Sequence, residues 1–199
     1  MKRYLFILLL VLTACTSDNK DYIMIKEANL TNSEKQLLES LADASLVYDI
    51  ELNQHHPAAI ELSVDYYKNG MLKENNPYLK TSLSHEDMNK GKNESIRVLL
   101  AKQTASSDQV WTGSISHFSG SSSFKTDPQP INETSSYGYG YTNINQPIEM
   151  EEKHLIGYLI YSNDSSLHAP HEIHSEEQFE ELINHEAVYL LYITLTNVE

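Results

Sequence analysis

The sequence predicts an α+β fold, mainly antiparallel β and sandwich-like, with an N-terminal helix and a short helix before the last strand. Three observations predict it. Stretches such as Ser45 to Leu52 and Ile60 to Tyr66 alternate apolar and polar residues with period two, the pattern of a strand that buries one face. The runs are joined by short turn-forming segments rather than by long helical repeats, as expected of antiparallel neighbours. Two short segments carry helix-start signatures, and the order helix, strands, short helix, strand fits an α+β domain or a decorated sandwich.

In chain order, Thr31-Asn32-Ser33-Glu34 has the spacing of a capping box, in which the Thr31 hydroxyl meets the N–H of Glu34 and the Glu34 carboxylate reaches back. A helix over about Asn32 to Ala42 follows, and its Leu37, Leu38 and Leu41 form one apolar stripe that is expected to pack on a sheet. Leu46, Tyr48, Ile50 and Leu52 share one face of the next strand. His55-His56-Pro57 breaks it, and Ile60 to Tyr66 resumes the alternation, so the two runs are expected to pair with each other. Asn69-Gly70 suits a tight type I′ turn, with Met71-Leu72 opening the return strand, and Asn75 to Asn93 reads as polar loop. Glu94 to Lys102 and Gln109 to Phe118 suit strands. Between Ser114 and Asn143 a Ser-, Gly- and Tyr-rich excursion reads as a long loop. His154 to Tyr161 is a strand, and Ser175-Glu176-Glu177-Gln178 offers a second capping box before a short helix bearing Phe179, Leu182 and Ile183. Val188 to Leu195, apolar and rich in β-branched and aromatic residues, reads as a central strand.

The head of the chain has a different character. Lys2 and Arg3 precede an apolar run from Tyr4 to Val11, and Leu12-Thr13-Ala14-Cys15 has the Leu-x-small-Cys form of a lipobox. The run is too short for a bilayer core of about 30 Å, so a cleaved signal is expected over residues 1–14. This head resembles that of bacterial lipoproteins, and the whole build is similar to small lipoproteins of Gram-positive bacteria, which have no assigned activity to carry over. The resemblance implies a diacylglycerol on the Cys15 thiol and a lipid-anchored place on the extracytoplasmic face of the cell membrane. Residues 15–29 are then expected to form a tether, with Tyr22 to Ile25 able to dock on the domain, and residues 30–199 a single β-rich domain.

Charge narrows the partners. The chain carries a formal charge of −14, and loss of Lys2 and Arg3 with the signal makes it −16. Nucleic acid, which demands a basic face, is therefore not expected as a partner; a cationic peptide, a metal ion or a cell-envelope ligand is compatible with the charge. Cys15 is the only cysteine, so disulfides, thiolate metal sites and a cysteine nucleophile fall away once it is lipidated.

Candidate sites are few. His168, His171 and His174 stand at steps of three before Glu176 and Glu177, a donor set for zinc, nickel or copper, although Pro170 forbids a regular helix that would align them. Tyr137, Tyr139 and Tyr141 at period two would present three rings on one side of an extended segment, a platform for glycan or peptide; the same residues also pack well on any pleated sheet. Trp111 reads as core. Ser122-Ser123-Phe124-Lys125 matches the Ser-x-x-Lys pattern of penicillin-interacting enzymes, but so does Ser17-Asp18-Asn19-Lys20, and Lys125-Thr126 is followed by Asp127 where a glycine belongs. No catalytic residue and no cofactor is expected. The reading is a non-enzymatic binding or interaction module on the membrane surface, with metal binding by the histidine loop, or immunity against a cationic peptide, as alternatives.

Overall fold

The structure is a computed structural model that describes residues 22–53, 55, 57–83, 95–105, 108–117, 120–125, 129–130, 136–142, 145–162, 167, 173 and 175–197. Twelve strands and two helices occur among them. The order is β1 (Ile23–Glu27), α1 (Asn32–Leu41), β2 (Ala44–Glu51), β3 (Ala59–Lys68), β4 (Met71–Ser82), β5 (Ser95–Ala105), β6 (Asp108–His117), β7 (Gly120–Lys125), β8 (Gln129–Pro130), β9 (Ser136–Tyr141), β10 (Gln146–Ile148), β11 (Lys153–Ser162), α2 (Glu176–Ile183) and β12 (Ala187–Thr196). The strands form two antiparallel sheets. The first runs β10-β1-β2-β5-β6-β7, with β8 also pairing with β6, and the second runs β4-β3-β12-β11-β9.

The predicted mainly antiparallel, sandwich-like α+β class is the observed one. Alternation decides which side chains face inward: Leu46, Tyr48 and Ile50 of β2, Ile96, Val98 and Leu100 of β5, and Leu159, Leu191, Ile193 and Leu195 of the second sheet join one buried cluster. Val188 to Leu195 is central as expected, because β12 lies between β3 and β11. Trp111 is core, at 7% exposure.

A buried hydroxyl ties the sheets together. The β11–β12 ladder shifts register between Leu155 and Gly157, leaving Ile156 out of the pairing. Its carbonyl accepts from the Tyr48 hydroxyl of the opposite sheet at 2.6 Å and from the Thr142 N–H at 2.9 Å. Burial drives the Tyr48 pKa well above its ordinary value, so the group is a permanent donor. The close approach needs glycine at 157, since a Cβ there would lie 2.5 Å from the Tyr48 oxygen and 2.8 Å from Leu46 Cδ1.

Five expectations are corrected. The tether was expected to reach residue 29, but β1 begins at Ile23, and Ile23 and Ile25 are core residues at 1% and 0% exposure. Five residues of alternating Ile-Met-Ile were too short a signal to separate from a linker. The strands over 46–52 and 60–66 do not pair: β2 lies in the first sheet and β3 in the second. Both strands are inward-facing on alternate residues, a pattern that period two cannot assign to one sheet or the other. Asn75 opens no loop, because β4 continues to Ser82 through two register shifts with β3. The excursion of residues 114–143 is not one long loop; β7 and β9 lie within it, paired with β6 and β11. Lastly, the leucine stripe of α1 packs only in part: no residue of α1 is buried, Leu38 is half-buried, and Leu37 and Leu41 are 58% and 56% exposed.

The turn chemistry stands as read. Asn69 and Gly70 both have positive φ, 49° and 75°, as a type I′ turn requires, and β4 starts at Met71. The full capping box of α1 is present, with the Thr31 hydroxyl accepting from the Glu34 N–H and the Glu34 carboxylate from the Thr31 N–H. At α2 the expected box is seen as its N-cap half, the Ser175 hydroxyl accepting from the Gln178 N–H at 3.2 Å.

Candidate functional site

Register across the sheets gives the sandwich two unlike ends. In the second sheet Tyr137 stands opposite Tyr161, Tyr161 opposite Ala187, Ala187 opposite Lys68 and Lys68 opposite Met71. In the first, Ala44 stands opposite Lys102 and Lys102 opposite Trp111. Lys102 of the first row meets Tyr137 and Tyr161 of the second between the sheets. The other end holds Glu51, Ser95 and the start of β1, where Met24 pairs with Glu51. Since β2 has eight residues, the two ends lie about 25 Å apart at a rise of about 3.4 Å per residue.

The first of these ends is lined by rings around a buried amine. Lys102 is 2% exposed, and its Nζ lies 4.2 Å from the Tyr137 ring centre and 5.3 Å from that of Tyr161. Tyr161 meets Tyr137 at 6.2 Å and Tyr189 edge-on at 6.2 Å, Tyr189 stacks on Tyr66 at 4.8 Å, and Trp111 is tilted against Tyr189 at 5.8 Å. The lysine reaches this place because it continues the inward positions 96, 98 and 100 of β5. Burial lowers its pKa, partly offset by the Asp43 carboxylate. Its charge is held by the quadrupoles of two rings rather than by an ion pair among the described residues, and it joins β5 of one sheet to β9 and β11 of the other. Sequence reasoning passed over Lys102. The signal was its place two residues beyond Leu100 in an inward run, which predicts a buried lysine but not what surrounds it.

The tyrosines of β9 share one side of the strand, as their spacing predicts, and they divide between core and solvent. Tyr141 is half-buried, meets Tyr48 edge-on at 5.2 Å and accepts from the Val47 N–H at 3.4 Å. Tyr137 and Tyr139 are 43% and 44% exposed, and the Tyr137 hydroxyl donates to the Asp43 carbonyl at 3.2 Å. Tyr137 thus covers Lys102 with part of its ring open to solvent beside Asp43, Tyr139 is part-exposed, and Tyr141 is packed inside. Ser122 lies in β7 with its hydroxyl 3.0 Å from that of Thr81, an inter-sheet contact.

A second polar cluster lies on the outer face of the second sheet. The Lys153 ammonium donates to both oxygens of Asp65 at 2.8 and 2.9 Å and lies 4.1 Å from the Tyr192 ring centre. Asp65 is nearly enclosed, and such a pair balances the cost of burying the carboxylate.

Cys15 and the histidines His168, His171 and His174 lie outside the described residues. Among the described residues no group of three or more His, Cys, Asp or Glu is placed to hold a metal ion, and no helix is long and apolar enough to cross a membrane. A family model described as the YgaN domain matches residues 24–195. Neither a curated protein nor a solved structure matches the chain.

Proposed function

The chain belongs to the YgaN domain family, and we propose that this domain is held on the extracytoplasmic face of the cell membrane by a lipid on Cys15 and acts there as a non-enzymatic binding module. The lipobox at Leu12 to Cys15 supports the anchor. One observation carries the binding role: the chain enters the fold at the end opposite the open tyrosines. Tyr22 precedes β1 at the Glu51 end, where its carbonyl accepts from the Asn53 side chain. Tyr137, Tyr139, Met71 and Leu72, each 40% or more exposed, belong to the far end.

Thr16 to Tyr22 are seven residues, which span at most about 25 Å when extended. A leash of this length keeps the Tyr22 end within about 25 Å of the bilayer and leaves the far end able to face the medium. The large exposed side chains at that end, Tyr137 and Tyr139 on one edge of the second sheet and Met71 and Leu72 on the other, are then available to a partner, and two or three acyl chains make release from the membrane negligible.

Replacing Cys15 tests the anchor. Cys15→Ala is expected to release the protein into the medium or to leave it as unprocessed precursor; mature-sized protein that still partitions into detergent would overturn the reading.

A further inference from the structure

Among the described residues the two sheets present five edge strands, and four of them are guarded: β8, which pairs only with β6, has two residues, one of them Pro130. β10 is three residues long and contains Pro147. β4 shifts register twice against β3, carries Lys73, Pro77 and Lys80, and lies against β7, where Thr81 meets Ser122. β7 is thereby covered in part, and it ends on Lys125. Shortness, proline, bulges and lysine are the devices by which edge strands avoid pairing with other chains. β9 has none of them. Its six residues, Ser-Tyr-Gly-Tyr-Gly-Tyr, pair with β11 without a shift from Ser136 to Tyr141, and they carry no charge and no proline. Among the described residues β9 is the last strand of its sheet.

From this edge we infer that β9 is a receptor for an extended basic peptide, taken up as an added antiparallel or parallel strand with its lysine or arginine side chains over Tyr137 and Tyr139. The inference rests on the proposed binding role and names the partner's chemistry. Main-chain hydrogen bonds supply affinity in such strand addition, and side-chain pairing supplies selectivity. Three features select a basic partner. The exposed ring of Tyr139, and the face of Tyr137 turned away from the Lys102 ammonium, are open to cations. Asp43 stands beside the strand, its carbonyl accepting from the Tyr137 hydroxyl; burial and then the Asp43 charge raise the proton affinity of Tyr137, and burial raises that of Tyr141, partly offset by the Val47 N–H, with Glu27 adding to the rise. The chain as a whole carries −14, which attracts a polycation and disfavours a second copy of itself. The nearby cation Lys102 is enclosed at 2% exposure and faces rings.

The probe is a ten-residue peptide alternating lysine and valine, titrated by fluorescence anisotropy against the detergent-solubilised full chain. Two controls are a lysine–proline peptide of equal charge, which cannot donate the ladder hydrogen bonds, and a glutamate–valine peptide. The lysine–valine peptide is expected to bind at least 10-fold more tightly than either. Tyr139→Lys, which adds to the exposed edge the guard it lacks, is expected to weaken binding at least 10-fold, whereas Tyr139→Glu at the same position retains it. Equal binding of the lysine–valine and lysine–proline peptides would reduce the interaction to bulk charge and overturn the inference. So would equal effects of the Lys and Glu variants, absence of binding, or a concentration-dependent dimer that Tyr139→Lys abolishes, since the edge would then serve self-pairing. Membrane retention, read separately with Cys15→Ala, distinguishes failure of the anchor from failure of this site.

Discussion

The two helices start from nearly the same local instructions and end differently. Each has a hydroxyl residue at its N-cap, acidic residues in its first turn and an apolar stripe, yet α1 buries no residue while α2 buries Leu182 and Ile183. The difference lies in the sheet faces they meet. α2 covers the outer face of the second sheet, where Tyr158, Ile160, Val188 and Leu190 form an apolar bed, with Phe179 edge-on to Tyr67. The outer face of the first sheet offers α1 charges: Arg97 donates twice to Asp49, at 2.8 and 3.0 Å, and Lys26 pairs with Glu51 at 2.6 Å. α1 is held there by polar contacts, Glu34 to Arg97 at 3.5 Å and the Gln103 amide to the Leu41 carbonyl at 2.7 Å. An amphipathic pattern makes a helix ready to dock; only a matching apolar face buries it.

The largest expected effect tests the docked helix. Leu182→Ala should lower stability by about 3 kcal/mol in urea unfolding, within the range of about 2–5 for truncating a buried leucine, because α2 closes on the sheet through this side chain. The corresponding change in α1, Leu37→Ala with Leu41→Ala, should stay within about 0.5 kcal/mol of the parent, as exposed substitutions do. A loss as large as that of Leu182→Ala would break the comparison.

Capping gives an intermediate effect that both helices share. Thr31→Ala and Ser175→Ala each remove a side-chain acceptor for a free N–H and should each cost their own helix about 1 kcal/mol. In α1 the loss is expected to appear as faster local opening with little change in global unfolding, whereas in α2 it lowers the global midpoint, since only α2 is coupled to the core.

Acid should separate the caps by sign. Hydrogen bonds from Thr31 lower the pKa of Glu34 below its ordinary 4.5, helped by Arg97, whereas the matching position in α2 is the uncharged Gln178. A depressed carboxylate contributes stability that is present above its unfolded pKa and is lost as pH falls through the folded value. Below about pH 4.5 α1 should therefore loosen in amide exchange corrected for intrinsic rates, while the cap of α2 keeps its geometry. Equal acid sensitivity at both N-termini would contradict the assignment.

Much of this architecture was legible in the sequence because its signals are local. Period two located β2 and β3, an apolar run rich in β-branched and aromatic residues located β12, Asn69-Gly70 fixed the β3–β4 turn, and Thr31 with Glu34 placed the start of α1. What was not legible depends on residues far apart in the chain. Alternation cannot say that Tyr48 and Ile60 belong to opposite sheets, nor that the stripe of α1 would find Arg97 and Asp49 rather than an apolar bed. The site divides in the same way. The common side of Tyr137, Tyr139 and Tyr141 follows from spacing, but the ring of aromatic groups around Lys102 needs β5, β9 and β11 brought together from positions 102, 137 and 161.

Hydrogen exchange followed by mass spectrometry on the full chain at neutral pH tests the difference between the helices most directly. Amides of α2 and β12 should exchange only through global unfolding, and amides of α1 faster by on the order of 100-fold through local opening, with a rate that Leu182→Ala leaves unchanged. Protection of α1 equal to that of α2, falling in step with it in Leu182→Ala, would contradict the claim that the charged face of the first sheet holds this helix by surface polar contacts without burying it.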